Sequence, residues 1–393
     1  MELFTDFWFF VCLAGVGIPA VILGILEKPL KYYGFAVSLL FLWLVLGHNL
    51  LALFYLGLYG IFEFCIIQAY LKLRTRYGRK PGIYWLFLIL SLLPLGLNKG
   101  FGLAGNPHHI FAFIGISYMT FKGTQIVIEI YDGLIEEVKP FEFFYLLLFF
   151  PTILSGPIDR SRRFHEDLAA VMPRKEYLEL VGSGIFSLCR GLLYKIVIAA
   201  LFYQGVVRLT SEHSFRFTLL YMYFYGFYLF FDFAGYSLMA IGAGSLFGIR
   251  VPVNFNAPFV SKDIKEFWDR WHITLSHWFR DFLFSRIVMF FTKKKILRKN
   301  KLARASIAFL INMGIMGVWH GLSAQYIIYG LYHGVLLSLT EIWQKKSKFY
   351  KKHRKEKWFL FMEWLITFHL VMFGFLIFSG KYTDLFAGIC RAL

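Results

Sequence analysis

Apolar runs of about the length that crosses a bilayer recur along almost the whole chain, and short basic loops separate them. A spanning helix needs about 20 mainly apolar residues, and the runs at 7–26, 50–70, 217–249 and 358–379 reach that length. The 393 residues are 58% hydrophobic and 17% charged, whereas soluble domains average about 45–50% apolar and about 25% charged residues. The sequence therefore predicts an all-α polytopic membrane protein that forms a single domain over residues 1–393.

The net charge of +18 is concentrated in a few short loops. By the positive-inside rule, three of them should be cytoplasmic: KLRTRYGRK at 72–80, KKKILRKNKLAR at 293–304 and KKSKFYKKHRKEK at 345–357. The first span should also leave the membrane on that side, beside Lys28 and Lys31, which places the N-terminus outside. A basic inner face would also attract an acidic partner, and both roles can hold at once.

The N-terminal sequence does not resemble a signal peptide, and the cysteines do not indicate cross-linking. The N-terminus MELFTDFWFF is acidic and lacks the basic region and small-residue cleavage site of a signal peptide, so we expect a retained first span. The cysteines are scattered without CxxC spacing, which argues against a disulfide framework or a metal site. They are Cys12, Cys65, Cys189 and Cys390.

Two stretches in the middle of the chain do not suit a lipid-facing helix. The run 110–130 contains Lys122 and Glu129, and is predicted to lie in the protein interior. The segment PTILSGPIDRSRRF carries two prolines within seven residues, which break a helix. Irregular backbone at membrane depth is tolerated only where protein or a water-filled cavity satisfies it. We therefore expect a cavity wall or a cytoplasmic re-entrant loop there, with Ser155 as a tentative tunnel residue.

Asp232 lies among aromatic residues in FFDFAGYS, within an apolar run. An ionisable residue inside a membrane is a functional hypothesis by default, and Asp232 is a tentative tunnel residue for that reason. The structural alternative is an ion pair with Lys195 or a helix cap, and we favour it.

Residues 251–281 are not a spanning segment. The prolines of VPVNFNAP disfavour helix just before them. Ser261 then resembles the N-cap of an amphipathic helix that continues through FWDRWHITLSHWFRDF. Such a helix, basic and aromatic, should lie at the inner membrane interface. It contains Trp271 and His272.

His320 follows the apolar run 306–319, and helical rise from Arg304 places it about 24 Å along, in or beyond the middle of a bilayer. Gly317 and Gly321 beside it permit close backbone approach. A neutral imidazole can take a proton from an alcohol. The alternative for His320, as for His272, is a packing histidine that hydrogen-bonds a neighbouring helix.

His333 sits on the next apolar run, without the spacing of a metal-ligand pair. The chain has no GxSxG elbow and no Walker loop. The residues alone leave a membrane enzyme that uses one or two buried histidines, or a transporter that uses them as proton relays.

Five segments in order resemble the membrane-bound O-acyltransferase family. The likeness implies roughly 10–12 transmembrane helices around a central funnel or tunnel, with re-entrant and interfacial helices. It also implies that His320 of the WHG motif is catalytic and that His272 is the second site position. Trp271 and Trp319 beside them are tentative tunnel residues. The segments are FIGISYMTFK (113–122), PTILSGPIDR (151–160), FDFAGYS (231–237), NFNAPFVSKDIKEFWDRWHITLSHWFRDF (254–282) and the GVWHG and YGLYHG pair within 317–334.

Within that family the chain is most similar to members that transfer D-alanine toward lipoteichoic acid in the plasma membrane of Gram-positive bacteria. The resemblance implies an acidic carrier protein that presents D-alanine as a 4′-phosphopantetheine thioester on the cytoplasmic side, and no cofactor bound by the chain itself. In our hypothesis His320 deprotonates the acceptor hydroxyl, while His272 orients the thioester or stabilises charge on its carbonyl oxygen. Transfer is either direct or through other membrane components of the system.

The basic loops should dock that carrier, whereas no nucleic-acid partner is expected. Two other functions stay open. One is an O-acetyltransferase of a secreted polysaccharide, which shares these motifs, and the other is a proton-coupled transporter, which an inverted repeat would favour; none is visible in the sequence. The candidate docking residues are Lys293, Lys294, Lys295, Arg298 and Lys299.

Overall fold

The computed structural model describes residues 2–103, 113, 115–169 and 171–384, and they form helices joined by short loops. No strand occurs in this part of the chain, where the one β feature is an isolated bridge between Phe255 and Trp271. The all-α prediction is therefore confirmed. Cys12, Cys65 and Cys189 are free thiols. Cys390 and the GNPHH stretch of the sequence lie outside the described residues.

Seven helical segments within the described ranges are long and apolar enough to cross a membrane, and a shorter apolar helix covers Lys31–Leu46. Their bounds agree within a few residues with the runs read from the sequence. The larger count of 10–12 spans, the central funnel, the number of domains and the side of each loop stay predictions. The seven segments are Phe7–Ile25, Leu50–Tyr77, Pro81–Phe101, Arg174–Thr210, Phe215–Leu246, Lys301–His320 and Lys357–Ser379.

The described chain separates into two compact units, the first made of Met1–Leu193 and Gly235–Val253. Its second and third helices are joined by a short turn, which Asn49 ends as an N-cap whose side chain accepts a hydrogen bond from the Ala52 N–H at 3.0 Å. Its helices are α1 (Phe7–Ile25), α2 (Lys31–Leu46), α3 (Leu50–Tyr77), α4 (Pro81–Leu103), α5 (Ile116–Asp132), α6 (Pro140–Leu148), α7 (Ser161–Ala169) and α8 (Arg174–Leu192).

Helix α5 is buried on every side from Met119 to Ile130, which confirms the prediction that this polar run lies in the interior. Its Lys122 is satisfied within the protein: Nζ donates to the carbonyl of Leu146 at 2.8 Å and to Oγ1 of Thr152 at 3.0 Å. A buried ammonium is tolerated only with such partners.

The PTILSGPIDR segment packs against α5 as an irregular, mostly buried element that begins with a short 3₁₀ turn, Phe150–Thr152. The Gln125 amide donates to the Asp159 carbonyl at 3.0 Å. Gly115 has φ +93°, and a Cβ there would stand 2.6 Å from the Ile153 carbonyl oxygen. The segment is thus non-helical after its first turn, as expected, with Ser155 half-buried and hydrogen-bonded to Tyr118. Its role as a cavity wall or a cytoplasmic re-entrant loop stays a prediction.

The second unit comprises Tyr194–Ala234 and Asn254–Leu393. Its α14 and α15 form the predicted hairpin and pack backbone to backbone: a Cβ on Gly330 would meet the Met313 carbonyl oxygen at 2.3 Å, and one on Gly317 the Tyr326 carbonyl oxygen at 2.4 Å. Its helices are α9 (Ala199–Thr210), the part of α10 (Phe215–Leu246) up to Ala234, α11 (Ile264–Arg270), α12 (Ile273–Phe279), α13 (Ser285–Lys293), α14 (Lys301–His320), α15 (Ala324–Lys346), α16 (Lys348–His353) and α17 (Lys357–Ser379).

The prediction of one continuous helix after Ser261 is wrong. Asp263 is the N-cap, since its side chain accepts from the N–H groups of Lys265 and Glu266 at 2.8 and 2.9 Å, whereas the Ser261 hydroxyl donates back to the Pro258 carbonyl. The helix then stops at Trp271 and restarts as α12 after His272. Both short helices bury aromatic residues. The spacing of these residues in the sequence therefore looks like that of one amphipathic helix, although the helix is broken.

Candidate active site

Residues 254–256 run antiparallel beside 270–273 and fix the break between α11 and α12. The Ile273 N–H donates to the Asn254 carbonyl at 2.9 Å, and the Asn256 N–H donates to the Arg270 carbonyl at 3.0 Å. Between these bonds His272 adopts φ +45°, a left-handed conformation that costs a non-glycine residue about 1–2 kcal/mol. Such strain persists only where the surroundings over-determine it, as at functional sites.

The Asn254 side chain determines which nitrogen of the His272 ring carries the hydrogen. Its Oδ1 accepts from the Thr274 N–H at 3.3 Å and from the Thr274 hydroxyl at 2.9 Å, and it lies 3.0 Å from Nδ1 of His272. An amide oxygen only accepts, so Nδ1 must be the donor. In the neutral ring Nε2 then carries a lone pair and no hydrogen. Nε2 has no hydrogen-bond partner among the described residues.

The surroundings of His272 favour the neutral ring. Its side chain is buried, and Phe233 packs edge-on against it with 4.7 Å between ring centroids. Burial lowers the pKa of His272 well below its usual range, and positive charge on His320 lowers it further. A neutral imidazole held in this way accepts at Nε2 and does not donate there. Stabilising charge on a thioester carbonyl, the role expected for His272, would require a protonated ring that donates at Nε2, and burial disfavours that state.

His320 is the last residue of α14, and glycines bring the next helix close to it, as expected from WHG. A Cβ on Gly321 would stand 2.3 Å from the Tyr326 ring. The half-buried His320 ring lies 4.6 Å from Trp319 and 5.2 Å from Phe378, centroid to centroid. The imidazole thus has aromatic walls and remains partly exposed.

Tyr329 is a buried residue that contacts two histidines. Its ring centroid lies 6.1 Å from His320 and 4.7 Å from His333. His333 is fully buried, with Trp268 at 5.1 Å, and neither ring nitrogen has a hydrogen-bond partner among the described residues. Sequence reasoning did not identify Asn254 or Tyr329. Both stand in quoted motifs, but neither has a spacing that indicates its role.

The predicted site residues do not all belong to the same compact unit. His272, His320 and Trp271 belong to the second unit, where Trp271 stacks on Phe267 and Phe375 at 5.6 and 4.8 Å. Trp319, beside His320, is in the same unit. Ser155 belongs to the first unit.

Asp232 forms the expected ion pair, accepting from the Lys195 ammonium. The pair is only partly buried, with 35% of the carboxylate side chain exposed, so it stabilises the unit modestly. Its participation in a tunnel stays a prediction.

The loop between α13 and α14 presents its cations to the exterior. Lys295 and Leu297 have φ of +57° and +50°, and Asn300 caps the start of α14 by accepting from the Ala303 N–H. No three His, Cys, Asp or Glu side chains of the described ranges form a group that could hold a metal ion. The five exposed cations are Lys293, Lys294, Lys295, Arg298 and Lys299.

Comparison with known proteins shows which family and which relatives the sequence resembles. The sequence profile of the membrane-bound O-acyltransferase family matches residues 48–380. The chain is 42% identical to the teichoic acid D-alanyltransferase of Bacillus subtilis (strain 168), over 97% of this chain and 98% of the relative. It is 37% identical to the protein of that name from Streptococcus thermophilus, over 98% and 96%. A probable alginate O-acetylase of Pseudomonas syringae pv. tomato is 32% identical over 70% of this chain and 50% of its own length.

Proposed function

The chain belongs to the membrane-bound O-acyltransferase family, and we propose that it moves D-alanine from a carrier-protein thioester to hydroxyl groups of teichoic acid. It is an acyltransferase and a multi-pass bacterial membrane protein. The observation that carries the finer proposal is the pair of histidines, His320 at the end of α14 and His272 at the α11–α12 break, together with near full-length similarity to teichoic acid D-alanyltransferases.

The chemistry needs a base and orienting groups. In the transfer the thioester C–S bond breaks, the ester C–O bond forms, and the hydroxyl hydrogen ends on the sulfur. We assign removal of that hydrogen to His320, whose partly exposed imidazole suits work near neutral pH. We assign His272 an accepting role, because its Nε2 lone pair suits an ammonium N–H of the D-alanyl group or a hydroxyl of the acceptor.

Incubation of the purified protein in proteoliposomes with D-alanyl-loaded carrier and lipoteichoic acid tests the function. We expect thioester loss matched by formation of D-alanyl ester, and neither with His320→Ala. Transfer from an acetyl-loaded carrier but not from a D-alanyl-loaded one would instead identify an O-acetyltransferase. Thioester loss without any ester, in the presence of the complete membrane fraction, would contradict acyl transfer.

We further propose that the loop between α13 and α14 binds the acidic carrier, because its five exposed cations form a dense positive patch. Such patches chiefly raise association rates, and screening over about 10 Å at 0.1 M salt weakens them. Reversing Lys293, Lys294 and Lys299 to Glu should weaken carrier capture at low salt and flatten its salt dependence.

The matched control reverses three exposed lysines of the other basic segment, Lys351, Lys352 and Lys355. The proposal requires that this variant captures the carrier nearly as well as the unmodified protein. Equal losses of carrier capture in both variants would mean that overall charge accounts for the effect. No loss in either variant would mean that the docking surface lies elsewhere.

A further inference from the structure

Glu63 lies in the middle of the membrane-spanning helix α3, in the first unit, and its side chain is fully buried. Within the described part of the chain no Lys, Arg or His forms an ion pair with it. Its neighbours are hydroxyl groups instead. Ser91 of α4 lies 3.3 and 3.1 Å from the two carboxyl oxygens, and the Tyr59 hydroxyl interacts with the carboxyl from one helical turn away.

A glycine allows the helix on the other side to come close to the Glu63 carboxyl. A Cβ on Gly123 of α5 would stand 2.9 Å from Oε2 of Glu63, so α5 approaches the carboxyl directly. The glycine is needed here because any side chain at this position would displace the carboxyl. Glu63 is therefore enclosed by α3, α4 and α5.

A count of hydrogens shows how the cluster is satisfied. Thr120 donates to the Ile116 carbonyl at 2.8 Å, so the oxygen of its hydroxyl is left to accept from the Tyr59 hydroxyl at 3.1 Å. The hydrogen of Tyr59 is then directed to Thr120 and is not available to Glu63. An ionised carboxylate only accepts, and the donor that the described residues offer it is the single hydroxyl of Ser91. One hydroxyl does not compensate a buried negative charge, whereas it suits a neutral carboxylic acid.

Charges on the surrounding helices do not compensate Glu63. On α4, Lys99 stands eight residues beyond Ser91, about 12 Å along the axis. On α5, the Lys122 ammonium is bound by the Leu146 carbonyl and Thr152, and Glu129 pairs with Arg162.

The helices α2 and α6 also contact α3. The acidic residue of α6, Glu142, hydrogen-bonds His165 at 2.6 Å, while the one charged residue of α2, Lys31, stands at the start of that helix. An unpaired buried charge is far more costly than a neutral carboxylic acid.

We propose that Glu63 is a proton-binding site in the membrane-spanning part of the enzyme, where its neutral carboxyl accepts from Ser91. The site is independent of the proposed acyl transfer. Transfer from a thioester to a hydroxyl moves one hydrogen from oxygen to sulfur and takes up no net proton, so this chemistry does not require it. A sodium ion is the competing occupant of such an oxygen-rich cluster.

Infrared difference spectroscopy of the purified full-length protein in sodium-free buffer at neutral pH tests the proposal. The unmodified protein should show the C=O stretch of an un-ionised carboxylic acid, shifted in D₂O and absent from Glu63→Gln. The matched control is Glu129→Gln on α5, a residue that is also buried but pairs with Arg162. That substitution should remove ionised carboxylate bands instead.

Tyr59→Phe supplies a second variant that retains Glu63, in case the first folds poorly. Removing the Tyr59 hydroxyl makes the surroundings of the carboxyl less polar, so the acid band should persist and move to higher frequency. Absence of any acid band in Tyr59→Phe, or loss of carboxylate bands in Glu63→Gln, would overturn the proposal. Conversion of the acid band to carboxylate bands on adding sodium would do so as well, and would identify a sodium site.

Stability against pH gives an independent readout. The folded protein holds a proton at Glu63 that the unfolded chain releases at neutral pH, so its melting temperature should fall as pH rises through the neutral range. Glu63→Gln should show a smaller fall. An identical pH dependence in the two proteins would contradict proton binding at Glu63.

Discussion

The two histidines of the candidate site are positioned by different physical means. His320 ends a regular 20-residue helix whose place is fixed by glycine contacts with α15. His272 sits on a backbone that leaves helical geometry, at φ +45°, and is fixed by hydrogen bonds to Asn254, a residue 18 positions earlier. Helix packing sets a position, whereas the asparagine also sets which ring nitrogen accepts. Substitutions that disturb the helix packing and substitutions that remove the asparagine should therefore impair the enzyme in different ways.

The largest expected effect is loss of either imidazole. General-base assistance contributes about 10²–10⁴-fold, so His320→Ala should lower the rate of D-alanyl ester formation by that factor while carrier binding persists. His272→Ala should be nearly as damaging, because it removes the Nε2 lone pair that accepts a hydrogen bond. His272→Asn should retain part of the activity, since an amide can still hydrogen-bond the substrate.

These comparisons require protein shown to be folded and inserted, by gel filtration in detergent, because removing a buried polar partner destabilises by about 1–3 kcal/mol. Full activity of a folded His272→Ala variant would remove His272 from the chemistry. The site would then depend on His320 alone, and the strained backbone at 272 would need another explanation.

The next effect concerns the support of His272. Partners that orient metal-bound histidines are typically worth about 10–100-fold, and we expect a loss of that size for Asn254→Ala. Burial lowers the pKa of His272, so its protonation should add an acid limb to the rate profile below the usual histidine range near 6.5, separate from the limb set by the base His320. In Asn254→Asp a carboxylate favours the charged ring, which raises the pKa and moves that limb to higher pH.

The control for this pair is Thr274→Val, which removes a second donor to the same Asn254 oxygen without touching the ring. It should lower the rate slightly and leave the pH profile in place. If Asn254→Asp lowers the rate with no change of profile, the asparagine has only a structural role.

The same contrast explains how much of this arrangement the sequence predicted. Apolar length placed the helices, and Gly317 and Gly321 predicted close backbone approach beside His320, because both signals act over a few residues. The break at His272 could not be read in the same way. It depends on pairing with Asn254, and the aromatic periodicity of FWDRWHITLSHW continues through it. Charge patterns identified Asp232 with Lys195 but passed over Glu63, whose hydroxyl neighbours lie on its own helix and on α4.

The third effect tests the packing beneath His320, and two glycines of the same hairpin provide a matched pair. A Cβ on Gly330 would stand 2.3 Å from the Met313 carbonyl, whereas one on Gly314 would meet a Leu331 methyl at an ordinary 3.6 Å. Gly330→Ala should destabilise by about 1–3 kcal/mol and lower the melting temperature, while Gly314→Ala should not. Comparable melting of both variants would mean that the two helices readily separate.

The smallest effect is expected at His333, which completes the comparison as a histidine without a role in the reaction. Its ring is fully buried between Trp268 and Tyr329, and a Cβ on Gly374 would stand 2.6 Å from its Nε2, so it fills space tightly. Neither nitrogen has a partner within the described part of the chain, and the side chain has no exposed surface.

His333→Gln should therefore keep the rate within about tenfold of the unmodified enzyme, against about 10²-fold or more for His320→Ala. Rates are compared at equal amounts of folded protein, because Gln packs less well than an imidazole. The reverse result, an inactive His333→Gln beside an active His320→Ala, would transfer the base to His333. Partial exposure and the WHG motif would then be poor guides to the base, and Tyr329, which contacts both rings, would be the residue to examine next.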